Sequence, residues 1–199
     1  MPGRGDLHEY QEHSLEFAKR NPRCGLFLEP GLGKTVTTLT LVDYLKYWDM
    51  EIERVLVIAP KRVAEHTWGV EIGKWDHTRH LTVEKILGTE KGRVAALGRR
   101  ADIHVINREN IPWLVSRLGT WWPWDMVVID ELSSFKNPSS ERFKALRKVI
   151  KQAKRVVGLT GTPASNGLID LWSQVYLLDG GERLGTTVGG YRERYFHYN

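Results

Sequence analysis

The stretch Glu29-Pro30-Gly31-Leu32-Gly33-Lys34-Thr35 constrains the fold more than any other part of the chain. An apolar run from Gly25 to Leu28 leads into it, and a helical pattern starting at Lys34 leaves it. Strand, glycine turn, Lys-Thr and helix is the plan of a phosphate-binding loop. Glycines let backbone N–H groups converge on phosphate oxygens, and the helix N-terminus adds its positive dipole end. Pro30, Gly31, Leu32 and Gly33 would line the phosphates, Lys34 would reach the β- and γ-phosphates, and the Thr35 hydroxyl would sit on Mg2+. The strict pattern has glycine at position 28, where this chain has Leu28. The short form therefore needs support from elsewhere.

That support comes a hundred residues later. Met126-Val127-Val128-Ile129 reads as a buried strand that delivers Asp130-Glu131. A hydrophobic strand followed by two acids is the second half of a nucleotide hydrolase site. Asp130 would hold Mg2+, directly or through water, and Glu131 would orient and deprotonate the attacking water. An acidic turn after a buried strand is the plainer alternative.

Between and around these motifs, strands alternate with helices. Asp6 followed by Glu9 reads as a capping box for a helix carrying Gln11 and ending near Asn21-Pro22. Gln11 is either an exposed helical amide or a reader of the donor/acceptor edge of adenine. The helix from Lys34 runs to about Trp48. Val55 to Pro60 is a strand that places Lys61-Arg62 at its carboxyl end, where open α/β sheets bind ligands. A helix through Val63 and Ile72 puts Trp68 and Trp75 on one face, for packing. Leu81–Leu87 is a weaker strand, Gly92–Arg100 a short basic helix, and Ile103–Asn107 a strand ending in Asn107-Arg108. The dense aromatics Trp121-Trp122-Pro123-Trp124 read as a loop anchor.

Further on, a helix begins at Asn137-Pro138, with Pro138 in its first turn, and runs to about Ile150. Val156–Leu159 leads into Thr160-Gly161-Thr162-Pro163, and Leu168–Leu178 is the final amphipathic helix. Gly180-Gly181 and Gly189-Gly190 read as loops, and Tyr191 to Tyr198 alternates aromatic with charged residues. The pattern predicts an α/β fold, a mainly parallel sheet flanked by helices on both faces.

Composition excludes several classes. With 41% hydrophobic and 27% charged residues the chain is an ordinary globular protein of 199 residues, one domain or one lobe of something larger. A net charge of +5 suits nucleic acid and suits a solvated lysine surface equally. The single cysteine, Cys24, excludes an internal disulfide and multi-cysteine metal sites, and reads as a small buried residue in a reducing compartment. No run of eighteen apolar residues exists, and Arg4, Asp6 and Glu9 do not make a signal peptide. The expectation is an intracellular protein, cytoplasmic or with nucleic acid, and away from membranes.

Together these motifs resemble the first RecA-like lobe of a superfamily 2 helicase, within the Swi/Snf-like group of double-stranded-DNA translocases. Tyr10-Gln11 falls at the family's adenine-reading glutamine, and Glu29 through Thr35 is similar to its motif I, which also lacks the outer glycine. Val57-Ile58-Ala59-Pro60 with Trp68 and Trp75 resembles motif Ia. Asp130-Glu131-Leu132-Ser133 with Lys136-Asn137 resembles the Asp-Glu-Ala-His box and its trailing Lys-Asn. Leu159-Thr160-Gly161-Thr162-Pro163 with Asn166 is nearly motif III. The match spans about residues 7 to 178. It implies ATP with Mg2+ on the loop, DNA across the same edge at Lys61, Arg62, Asn107 and Arg108, and coupling through Thr160, Gly161 and Thr162.

Two departures limit the transfer. Ser133 stands where many relatives have a histidine linking nucleotide state to motif III. No Gln-x-x-Gly-Arg-x-x-Arg pattern appears, so a second RecA-like lobe and its arginine fingers are missing from residues 1–199. Such an arginine is worth roughly 10³–10⁵ in rate. The resemblance implies a DNA-dependent ATPase motor lobe, weak by itself. The alternative is a non-catalytic, nucleotide-gated half-module completed by a partner lobe or protein, and a third reading is another P-loop ATPase or a small-molecule kinase. The lean connections point to a phage or bacterial version.

Overall fold

The computed structural model describes residues 1–165 and 167–196. Asn166 and Tyr198, both named in the sequence reading, lie outside the described residues.

Six strands form one sheet: β1 Arg23–Phe27, β2 Val55–Ala59, β3 Val83–Ile86, β4 Ile103–Asn107, β5 Met126–Asp130 and β6 Arg155–Thr160. Their order is β1-β6-β5-β2-β4-β3, and every pairing is parallel. Strands β2 and β4 are buried at every residue, the mark of strands covered on both faces. Alternate side chains feed two separate cores. Val55, Val57, Met126 and Val128 join one, while Leu56, Ile58, Val127 and Ile129 join the other.

Eight α-helices cover those faces. α1 (Glu9–Arg20), α2 (Lys34–Asp43) and α3 (Trp68–Lys74) contribute to the first core through residues such as Leu15, Leu39 and Trp68. α4 (Glu90–Leu97), α5 (Ile111–Leu118), α6 (Glu141–Val149), α7 (Leu171–Asp179) and α8 (Val188–Tyr195) contribute to the second. Arg155, buried at the start of β6, joins strand to helix: its guanidinium donates to both oxygens of Glu51 at 2.7 and 2.8 Å and to the carbonyls of Ala18 and Lys19. Burial pushes the Cys24 thiol up to about 11, as expected of a small enclosed residue. Among the described residues, no helix is long and apolar enough to cross a membrane.

The helix boundaries differ from the sequence reading in several places: α4 runs Glu90–Leu97 rather than Gly92–Arg100, capped by Thr89 Oγ1 accepting from the Gly92 N–H, and the others also have local reasons. The α1 cap is made by Gln11, whose Oε1 accepts from the His8 N–H at 2.9 Å, while Asp6 instead accepts from the Gly3 N–H in an earlier turn. α5 was not anticipated: Pro112 sits in its first turn, where proline is tolerated, and Ile111, Leu114 and Val115 are buried. α6 starts at Glu141 rather than at Pro138, because Ser140 Oγ accepts from the Phe143 N–H while Asn137 closes a turn on Ser139. Gly189-Gly190 is not a loop but the first turn of α8, so Leu168–Leu178 is not the last helix. Thr187 caps the Gly190 N–H, and buried Tyr191 donates its hydroxyl to the Leu168 carbonyl at 2.8 Å, offsetting the poor helix propensity of two glycines.

Candidate functional site

Because the sheet is all parallel, the carboxyl ends of its strands share one edge. β1, β6 and β5 are adjacent, so the loop after β1, Thr160 at the end of β6 and Asp130 at the end of β5 lie side by side. Gly31 and Gly33 have φ of 87° and 72°, which favour glycine, and Gly33 is the N-cap of α2. A Cβ on Gly33 would collide with Nε2 of Gln11. That nitrogen donates to the Leu32 carbonyl at 3.3 Å, so Gln11 holds the glycine turn against α1. Each end of its amide keeps one further hydrogen bond for a ligand, although the residue is buried. The Lys34 ammonium lies within the loop, donating to the carbonyls of Leu28 at 2.7 Å and Glu29 at 3.0 Å.

The acid pair is differentiated by its surroundings. Burial pushes the Asp130 carboxyl above its ordinary range; the hydrogen bond from Trp68 opposes this, the negative charge of Glu131 adds to it, and the Lys34 ammonium pulls it back. The charges of Lys34 and Asp130 thus act on one another, although nearly a hundred positions separate them. Glu131 adopts a left-handed backbone, φ 60° and ψ 61°, and its Oε1 accepts from the hydroxyls of Ser133 at 2.6 Å and Thr160 at 3.2 Å. The Thr162 N–H donates in turn to Thr160 Oγ1 at 3.2 Å. Ser133 therefore supports Glu131, and Glu131 itself bridges to β6. Lys136 extends the connection by donating to Ser165 Oγ at 3.2 Å, with Asp170 3.6 Å away.

These residues fit magnesium and a triphosphate. The loop turns through left-handed backbone at Gly31 and Gly33, where side chains are disfavoured, and Asp130 and the Thr35 hydroxyl are hard oxygen donors. Mg2+ is ordinarily held by one or two carboxylates together with substrate phosphates. Among the described residues, no three His, Cys, Asp or Glu side chains form a metal cluster.

Further along the same edge, Lys61 and Arg62 are exposed at the start of the helix after β2, with Lys61 4.0 Å from Glu65. Asn107 ends β4 and Arg108 follows it, but both are engaged internally. Asn107 donates to Glu109 at 3.0 Å and accepts from Asn110 at 2.5 Å, and Arg108 Nε donates to Glu109 at 2.9 Å. Glu109 thus offsets the charge of Arg108, leaving Lys61-Arg62 as the more available pair. Trp68, read from sequence as packing alone, is fully buried and also donates to Asp130 at 3.0 Å. The available signal was chemical: a buried indole N–H requires an acceptor.

Comparison with known proteins identifies the family of the fold that carries these residues. The SNF2-related domain family matches residues 10–182. Putative protein p41 of Acyrthosiphon pisum secondary endosymbiont phage 1 is 40% identical over 195 residues, covering 95% of this chain and 42% of the phage protein. The ISWI chromatin-remodeling complex ATPase ISW1 of Saccharomyces cerevisiae is 28% identical over 191 residues, covering 87% of this chain and 16% of the relative. Among solved structures, the Sulfolobus solfataricus SWI2/SNF2 ATPase core in complex with dsDNA superposes with a TM-score of 0.81 at 27% identity, covering 96% of this chain and 39% of that one. The chain thus spans less than half the length of each, and shares with the last a RecA-like fold. By its motifs, its topology and the extent of these matches, it belongs to the SNF2-related domain family.

Proposed function

We propose that the chain is the ATP-binding and ATP-hydrolysing motor lobe of a double-stranded-DNA-dependent translocase or helicase. The observation that carries this reading is the bond from Thr160 to Glu131, made at the sheet edge that the loop after β1 shares with Asp130. Lys34 binds the β- and γ-phosphates in exchange for its two carbonyl partners, and Gln11 both supports the loop and reads adenine. Asp130 and Thr35 would hold Mg2+, which would supply neutralisation of phosphate charge. Glu131 accepts the proton of the attacking water, and the hydroxyls of Ser133 and Thr160 fix the carboxylate that does so. Thr160, Gly161 and Thr162 connect that carboxylate to the rest of the edge, where Lys61 and Arg62, with Asn107 and Arg108 behind them, face DNA phosphates. Such contacts bring affinity with little sequence information.

The dsDNA complex of the archaeal structural neighbour supports duplex DNA as the partner. A second RecA-like lobe completes the site with transition-state charge stabilisation. The setting proposed is a bacterial or phage-infected cell, in line with the source of the phage relative.

Phosphate release with ATP, Mg2+ and duplex DNA tests the reading. Release that rises when a second RecA-like lobe is supplied, and that Lys34→Ala abolishes together with nucleotide binding, is the expected result. Nucleotide and DNA binding without release in either case would favour a non-catalytic, nucleotide-gated module instead.

A further inference from the structure

Asp130 is held by a donor from outside its own strand. The Trp68 indole N–H bonds to Oδ2 at 3.0 Å, and Trp68 is fully buried. Indole has one donor and no acceptor, so this contact uses its whole polar capacity. Trp68 belongs to a single helical run, residues 61–74, whose first two residues are Lys61 and Arg62. Within it, Val63–Thr67 widens into a π-helical turn, a rare distortion that concentrates at functional sites. The wide turn is secured from β3, where Lys85 Nζ donates to the Glu65 carbonyl at 2.5 Å. From the basic pair to the indole the rise is about 10 Å along one rod.

We infer that Trp68 is a positioning residue that couples the basic pair Lys61-Arg62 to the carboxylate of Asp130. This rests on the reading above, in which Asp130 holds Mg2+ and the basic pair meets DNA phosphate. A phosphate drawn to the start of the helix displaces a stiff element, and the only polar group of Trp68 delivers that displacement to Asp130. DNA contact and metal readiness are thereby joined through one hydrogen bond, separate from the Glu131–Thr160 connection.

The test uses this chain, binding a fluorescent ATP analogue across a Mg2+ titration with and without duplex DNA. Wild type is compared with Trp68→Phe and with a protein in which benzothiophene replaces the Trp68 indole, keeping its shape but not its N–H. In both variants nucleotide affinity without metal should stay as in wild type, and the Mg2+ concentration for half-saturation should rise about tenfold. The shift that duplex DNA produces in the wild-type Mg2+ response should disappear. If the benzothiophene protein takes Mg2+ and responds to DNA like wild type, the indole N–H has only a packing role and the inference fails. A wild-type Mg2+ response that ignores DNA overturns the coupling. Absence of Mg2+-dependent nucleotide binding in wild type would instead overturn the proposed function.

Discussion

Gly161 packs directly on Pro30: a Cβ at Gly161 would stand 3.0 Å from Pro30 Cδ and 3.3 Å from the Leu28 carbonyl oxygen. The end of β6 and the phosphate loop therefore touch through a residue with no side chain. Gly161→Ala must push the loop by a few tenths of an ångström. It should destabilise the fold by only about 1 kcal/mol. Affinity for a fluorescent ATP analogue should fall about tenfold, since small misplacements at such sites are costly. Unchanged affinity would show the loop to be independent of β6.

Glu131→Gln keeps the size of the side chain and removes the proposed base. With a second lobe present, nucleotide binding should persist while hydrolysis drops by about 10²–10⁴. Thr160→Val keeps the shape of Thr160 and removes one hydroxyl from Glu131 Oε1; hydrolysis should fall less, again with binding intact. Single-turnover hydrolysis alongside equilibrium binding separates the two effects. A Glu131→Gln protein hydrolysing like wild type would dismiss Glu131 as the base.

Lys61→Ala and Arg62→Ala should weaken duplex binding similarly across sequences. Each should reduce the slope of log affinity against log salt by about 1. Arg108→Ala should change the slope less, because Glu109 already offsets its charge. Equilibrium titrations at several salt concentrations measure this, and an unaltered slope for Lys61→Ala returns that residue to the solvated surface.

Arg155→Met tests the buried link between β6, α1 and Glu51. Removing one partner of a buried ion pair costs about 3–5 kcal/mol, with the lower end expected here because the Glu51 side chain is 35% exposed. Thermal unfolding should shift down by roughly 6–12 °C. A shift near zero would mean that methionine packing replaces what the guanidinium contributes.

His104 gives a pH dependence with a definite sign. Trp124 donates its indole N–H to Nδ1 at 3.3 Å, and Nε2 lies 3.1 Å from the Arg99 carbonyl, so the fold selects the neutral ring. Burial lowers its pKa from the ordinary 6.5, with the Arg99 contact partly opposing. The unfolded chain then binds more protons below that value, and stability falls as pH drops from 6.5 through the depressed pKa. Denaturant unfolding between pH 5 and 7 should show the loss, and His104→Gln should flatten it.

The legible parts of the molecule were those where one residue type has one physical use. Gly33-Lys34-Thr35, the buried runs Val55–Ala59 and Met126–Ile129, and the acid pair at the end of β5 announced a parallel sheet that gathers these residues along its carboxyl edge. What escaped depended on competition between neighbours. Ser140 displaced Pro138 as the start of α6, and a capped Gly190 became helical because Tyr191 had a pocket and an acceptor waiting. Trp68 looked like packing because its bond to Asp130 crosses sixty-two positions. Ser133 looked like a shortened link to β6, yet its neighbour Glu131 makes that link directly.

Glu131 is one of two described non-glycine residues with positive φ, the other being Met50. A β-carbon in that region is disfavoured by roughly 1–2 kcal/mol, so for the base proposed above turnover and robustness would pull in opposite directions at a single position. A lineage released from the need to cleave its ligand could drift there toward asparagine or glycine and lose the strain. The amino acid found at 131 in any homologous chain would then report whether that chain still runs as an engine or has settled into a scaffold.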